Sequence, residues 1–176
     1  SKVWNKKIFK NIQEKVDAAS ISLAEERGSC PDAEEYGIKE RFSNKTAIAP
    51  TASISIICGG TSPGIEPIAA NSFTHKTLSG SFNVRNKYFK KILQKYKKDT
   101  DEVWSGITTN QGSVSHLDFL TPEEKDTFKT AFEIDQRWII ELGADRTPHI
   151  SQAQSINVFI PADIHKKELH DIHFQA

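Results

Sequence analysis

The side chains best placed for chemistry lie between Ile48 and Pro67. Thr51, Ser53 and Ser55 set three hydroxyls at alternate positions directly after Pro50. Pro50 has no N–H to give to a ladder, so it ends the short apolar run Thr46 to Ala49, which reads as a buried strand. Gly59-Gly60 closes the short turn or helix that follows. Strand, hydroxyl-rich turn and helix start together can make an anion site, because a helix N-terminus leaves unpaired N–H groups and a partial positive charge. No acidic residue between Thr46 and Ile65 would repel a phosphate. The same residues also suit an ordinary N-cap, with Thr51 or Ser53 capping a helix that binds nothing. Local sequence leaves both readings open.

Other reactive side chains are scattered. Cys30 and Cys58 form no Cys-x-x-Cys pair and no metal spacing, so both read as buried or idle thiols in a reducing cytosol. Cys58 is expected to pack behind the hydroxyl-rich loop. His75 reads as a loop hydrogen-bonder, having neither a paired base nor a nucleophile nearby in sequence. His170 and His173 are one helical turn apart and His165 precedes them, yet no cysteine or firm carboxylate set joins them; a surface helix is the expected setting. Asp135 falls on an apolar helical stripe, where a buried charge is expected to be paired.

The elements that must position these groups follow from periodicity. Residues 2–27 read as a helix whose apolar face carries Ile8, Ile12, Val16, Ala19 and Leu23, with Gly28 as C-cap and Pro31 beyond it. Residues 61–85 are rich in Gly, Pro, Ser, Thr and Asn and read as one long structured loop. Asn86 to Lys98 reads as a basic helix. Its lysines and aromatics could suggest nucleic acid, but Asp99, Asp101 and Glu102 follow at once, so a solvated surface helix is expected. Gly112 marks a turn. Thr121-Pro122-Glu123-Glu124 is a capped start to what reads as the longest helix, with Phe128, Phe132, Trp138, Ile139 and Leu142 as its stripe and Gly143 near its end. Gln152 to Ile160 reads as a strand ended by Pro161, and Ala162 to Ala176 as a last helix. Alternating strand, helix and loop gives an α/β fold class.

Bulk properties narrow the classes. The 176 residues are 37% hydrophobic and 26% charged with zero formal net charge, enough chain for one sizeable core. That balance argues against a basic nucleic-acid surface and against an anionic-membrane anchor. No apolar run reaches the roughly 18 residues of a membrane span, and no signal peptide is visible.

Several ordered motifs carry a family resemblance. Ala49-Pro50-Thr51-Ala52-Ser53-Ile54-Ser55 is followed by Gly64-Ile65-Glu66-Pro67, then by Thr77-Leu78-Ser79-Gly80-Ser81-Phe82 with Val84 and Asn86. Phe128 to Asp135 and Ser151-Gln152-Ala153-Gln154-Ser155-Ile156-Asn157 come later, in the same order, and Arg41 to Lys45 supports the register. From about Glu40 onward the chain resembles the large, catalytic subunit of ribonucleotide reductase, more weakly before that. One motif alone would say little; the ordered set is specific.

The resemblance implies a fold and a role. Residues 1–176 would be a fragment of the family's ten-stranded α/β barrel, from its second half, and not a complete independent domain; two visible strands cannot close a barrel. Thr51, Ala52, Ser53 and Ile54, with Ser55 adjacent, would hold the substrate's diphosphate through hydroxyls and backbone N–H groups. Some relatives carry Glu where this chain has Ala52. The family reduces ribonucleoside diphosphates to deoxyribonucleoside diphosphates for DNA synthesis by radical chemistry. Neither Cys30 nor Cys58 stands in its thiyl or reductant motifs, its relay tyrosines would follow Ala176, and its ATP-binding allosteric sites would precede Ser1. No catalytic residue and no cofactor are expected within these residues; the radical-generating metal site would lie in the small subunit. Implied partners are the remaining part of the large subunit, the small subunit, thioredoxin or glutaredoxin, a nucleoside diphosphate and a second large subunit in a homodimer, in the cytoplasm, with no nucleic acid or membrane. An adenosylcobalamin-dependent reductase fragment and a non-catalytic phosphate-binding or assembly module are the alternatives.

Overall fold

A computed structural model describes residues 1–77 and 80–176. The chain forms two compact units. The first comprises Ser1–Pro50, Arg137–Ile156 and Ile172–Ala176; the second comprises Thr51–Gln136 and Asn157–Asp171. Leu78 and Ser79, part of one family motif, lie outside the described residues.

In the first unit, helix α1 (Lys2–Arg27) runs to Gly28, whose φ of 83° stops it, and α2 (Pro31–Glu35) follows. Helix α7 (Arg137–Arg146) and a 3-10 turn, Thr147–His149, pack on α1. The face that α1 buries is only partly the expected one, with Val16 and Leu23 half-buried. Ser20 and Ala24 are buried, while Ile8 and Ile12 stay about half exposed. The buried side is partly polar. Asn5 Nδ2 donates to Leu142 O at 3.0 Å, and the Arg146 guanidinium lies over the Phe9 ring. Ser20 Oγ accepts the backbone N–H groups of Arg41 and Phe42. Specific hydrogen bonds to α7 and to the returning chain rotate the helix away from its greasiest stripe. Trp4, 69% exposed, and Trp138, 48% exposed, sit near the starts of α1 and α7.

Neither expected parallel strand forms as a full element. Ile48 and Gln154 make one isolated parallel bridge, closed by Ile48 N to Ala153 O at 3.2 Å and Ser155 N to Ile48 O at 2.9 Å. The ladder stops there because side chains take the neighbouring donors: Lys45 N and Thr46 N both donate to Ser151 Oγ. Gly143 allows Ile156 to come close, since a Cβ there would lie 2.7 Å from Ile156 Cδ1.

In the second unit, α3 (Ala52–Ile57) follows Pro50. The supposed long loop then resolves into a hairpin. Strands β1 (Ser72–Thr77) and β2 (Gly80–Arg85) pair antiparallel, with Phe73 opposite Val84 and His75 opposite Phe82. The cross-strand pairs Phe73–Val84 and His75–Phe82 suit a pleated ribbon, a signal that the many Ser and Gly residues obscured. Helix α4 (Lys87–Lys95) starts under Asn86, whose side chain accepts from Tyr88 N and Phe89 N. Helix α5 (Asp101–Thr109) starts under Thr100. Phe89, Leu93, Trp104, Ile107, Val114, Leu117 and Leu120 form the core. Phe89 meets Trp104 edge-on at 5.9 Å and Phe128 at 4.9 Å. Gly112, at φ 81°, cannot be replaced without collision, because a Cβ would lie 2.2 Å from Ala70 Cβ.

The expected longest helix, from Thr121 to Gly143, is three pieces. Helix α6 (Pro122–Thr127) ends at Phe128, a 3-10 turn spans Ala131–Glu133, and α7 begins at Arg137. Thr130 and Glu133 build a second capping box in mid-stretch. The buried Gln136 amide donates to Ala131 O and Ile134 O, which ends the turn. The longest helix is instead α1, with 26 residues. Asp135 therefore lies exposed in the connection before α7, not on a helical stripe. Helix α8 (Lys166–Gln175) starts four residues later than Ala162. No helix among the described residues is long and apolar enough to cross a membrane.

Candidate functional site

The candidate site is the turn from Pro50 into α3. Thr51 occupies the N-cap position but makes no side-chain cap. Its hydroxyl donates to Pro63 O at 3.2 Å, and its N–H donates to the same carbonyl at 2.7 Å. Thr51 is thereby turned toward the 61–67 segment. Ser55 is buried, and its hydroxyl donates to Ala52 O at 2.7 Å, so it serves the helix itself. Ala52, Ser53 and Ile54 are exposed. Of the three hydroxyls, only that of Ser53 faces outward without a described hydrogen bond, beside the N–H groups of an uncapped first turn.

The helix end is closed by glycines. Gly59 and Gly60 have φ of 83° and 73°, and Gly60 N donates to Ser55 O at 2.9 Å. Lys87 Nζ donates to Gly59 O at 3.0 Å, placing a cation at the negative end of α3. Cys58 is exposed at this end, contrary to the expectation that it packs behind the loop; two positive-φ glycines turn the chain just past it and leave its side chain in solvent.

The 61–67 segment is fastened from below. Ser62 Oγ donates to Glu66 O at 2.8 Å. The Glu66 side chain is buried, and its Oε1 accepts both the backbone N–H and the side-chain amide of Asn157. Its carboxylate folds back over Gly64, where a Cβ would lie 2.0 Å from Oε2. Two residues on, Phe159 N donates to Gln136 Oε1 at 2.8 Å. Alternate N–H groups of this extended stretch are thus taken by side chains, which is why 157–160 satisfies its donors without becoming a strand. The motif Gly64-Ile65-Glu66-Pro67 is visible in sequence, yet a role for Glu66 was missed. The available signal was a charged residue set between glycine, isoleucine and proline.

The remaining candidates do not converge on this turn. His75 lies half-buried on β1 opposite Phe82, a strand residue and not a loop one. His165 Nδ1 accepts from Lys167 N at 3.2 Å. Among the described residues, no three His, Cys, Asp or Glu side chains gather as metal ligands. Cys30, half-buried, occupies the N-cap position of α2 without a side-chain cap. The perturbed carboxylates lie elsewhere. Thr121 N, donating to Glu124, is the main influence holding that carboxyl below the usual glutamate range, with Tyr96 and Lys95 assisting against partial burial. Burial pushes Glu133 up, but hydrogen bonds from Ser113 and from the Thr130 N–H and hydroxyl, with Lys129 nearby, outweigh it and hold the carboxyl low.

Comparison with known proteins places this arrangement in a family. The family model described as "Ribonucleotide reductase, barrel domain" matches residues 32–176, which includes the turn. The chain belongs to that family, and its fold is α/β. It is 48% identical over 173 residues to the ribonucleoside-diphosphate reductase large subunit of Invertebrate iridescent virus 6, covering 96% of this chain and 18% of that protein. To the large subunit of Invertebrate iridescent virus 3 it is 44% identical over 175 residues, covering 98% and 28%. Among solved structures, the Actinobacillus ureae class Id ribonucleotide reductase alpha subunit superposes with a TM-score of 0.87 at 36% identity, covering 98% of this chain and 31% of that one. The chain thus spans less than a third of the length of each of these relatives.

Proposed function

We propose that this chain is the part of a ribonucleoside-diphosphate reductase large subunit that seats the substrate's diphosphate. One observation carries the reading: the family match runs unbroken across the turn whose residues Thr51 to Ser55 resemble the family's phosphate loop. Ser53 and the N–H groups of Ala52, Ser53 and Ile54 contact the phosphates; Thr51 and Ser55 shape the turn. The two segments joined at Ile48 and Gln154 belong to adjacent strands of the ten-stranded barrel, whose other strands come from the rest of the large subunit.

Reduction of the 2′-carbon takes place on that assembled subunit. Its radical cysteine, reductant cysteines, effector sites for ATP and other nucleotides, and dimer contacts reside in the rest of the subunit. The radical originates at a metal site in the small subunit, and thioredoxin or glutaredoxin restores the thiols, in the cytoplasm. The test is the double variant Thr51→Ala/Ser53→Ala in the large subunit that carries this chain. A charge-assisted hydrogen bond to phosphate contributes roughly 1.5–3 kcal/mol, so nucleoside diphosphate affinity falls at least about tenfold while effector affinity holds. Equal substrate affinity in variant and parent would refute the assignment.

A further inference from the structure

We infer that Glu66 is a positioning residue for the diphosphate turn, acting through Pro63 and Thr51; this rests on the reading of that turn given above. The chain of contacts is continuous and lies within one compact unit. Asn157 gives its backbone N–H and its side-chain amide to one oxygen of the buried Glu66 carboxylate. Glu66 O holds the Ser62 hydroxyl. Between them Pro63 O receives both the N–H and the hydroxyl of Thr51, the residue from which α3 departs. A carboxylate is a costly group to bury, and here it is 6% exposed. What it secures is the level of one carbonyl, and that carbonyl fixes how the first turn of α3 is aimed.

Two further details fit this role. Gly64 has no side chain, and the carboxylate occupies the space a Cβ would need. A side chain there would displace the Glu66 Oε2 that lies over it. In addition, Asn157 itself is exposed, so its amide is not needed to fill a core. The contact orders a loop; it does not pack an interior. Because the main-chain N–H of Asn157 survives substitution by any residue except proline, Glu66 carries more of the coupling than Asn157 does.

The experiment compares Glu66→Ala, Glu66→Gln and Asn157→Ala with the Thr51→Ala/Ser53→Ala double variant. Each is made in the large subunit that carries this chain and assayed with the small subunit. KM and kcat for a nucleoside diphosphate are measured beside the melting temperature. Glu66→Ala raises KM about tenfold with kcat within about twofold, Glu66→Gln about threefold, and Asn157→Ala less than Glu66→Ala. If Glu66→Ala does not fold, the isosteric Glu66→Gln decides. A lowered melting temperature with unchanged KM in both Glu66 variants, while the double variant raises KM, overturns the positioning role and leaves the diphosphate reading standing. Unchanged KM in all four variants overturns both.

Discussion

Two six-residue helices in this chain begin at a threonine, α3 after Thr51 and α6 after Thr121. At α6 the start is shut. Thr121 Oγ1 accepts from Glu124 N at 3.2 Å, Glu124 Oε2 accepts from Thr121 N at 3.0 Å, and Pro122 has no N–H to satisfy. At α3 the start is open. Thr51 gives its hydroxyl to Pro63, and the first turn holds Ala52, Ser53 and Ile54 in place of Pro122, Glu123 and Glu124. The same N-cap residue thus serves opposite ends. A helix that only needs stability satisfies its own N–H groups and supplies its own negative charge. One that leaves them free, with no acid in its first turn, keeps room for an anion from outside.

The sharpest way to break this contrast is to copy one start onto the other. Ser53→Glu/Ile54→Glu gives α3 the acidic first turn of α6. In the assembled subunit, diphosphate affinity falls by about a hundredfold, because two carboxylates now stand where phosphate would. Thermal stability holds or rises slightly, since both positions are exposed and acids favour a helix start. Isothermal titration and a melting curve on the same sample check both signs. Retained affinity would show that no anion sits at α3.

The converse change is smaller. Thr121→Ala removes the α6 cap and costs about 1 kcal/mol, read as a lower urea midpoint, with substrate affinity unchanged. A shift in affinity would mean that the two helix starts are not functionally distinct.

Acid gives the mildest probe. The Glu124 carboxyl is held low in the folded chain, so its stabilising contribution is present above the ordinary glutamate value. That contribution is lost as pH falls through the lowered folded value. Glu124→Gln should therefore remove part of the stability difference between pH 7 and pH 3, whereas α3, with no acid in its first turn, adds nothing to that difference. Identical acid profiles for parent and variant would contradict the cause given for the Glu124 shift.

Much of this was legible before the fold. The α6 capping box was written in Thr121-Pro122-Glu123-Glu124, the Asn86 start of α4 in its lysine and aromatic periodicity, and the helix start after Pro50 in its run of hydroxyls. Several of the misreadings trace to hydrogen bonds made by particular side chains, which the periodicity of a segment does not report. Gln136 ends a turn and holds Phe159, so neither a long helix nor a strand forms around it. Glu66 takes the N–H of Asn157 from 91 residues away. Arg146 and Asn5 draw α1 onto a polar face that its apolar periodicity did not mark. Local pattern reports what a segment prefers alone, and these residues act only once brought together.

The placement of the three tryptophans has a practical consequence for watching this chain unfold. Trp104 is 2% exposed in the core of one compact unit, edge-on to Phe89, with its indole N–H bound to Asp99; Trp4 and Trp138 are wet and belong to the other unit. Loss of the Trp104 core would therefore shift one emission band to the red and open it to acrylamide, while the two solvent-facing indoles change little. The chain's own fluorescence can thus time the melting of the unit that carries α3, with no added dye.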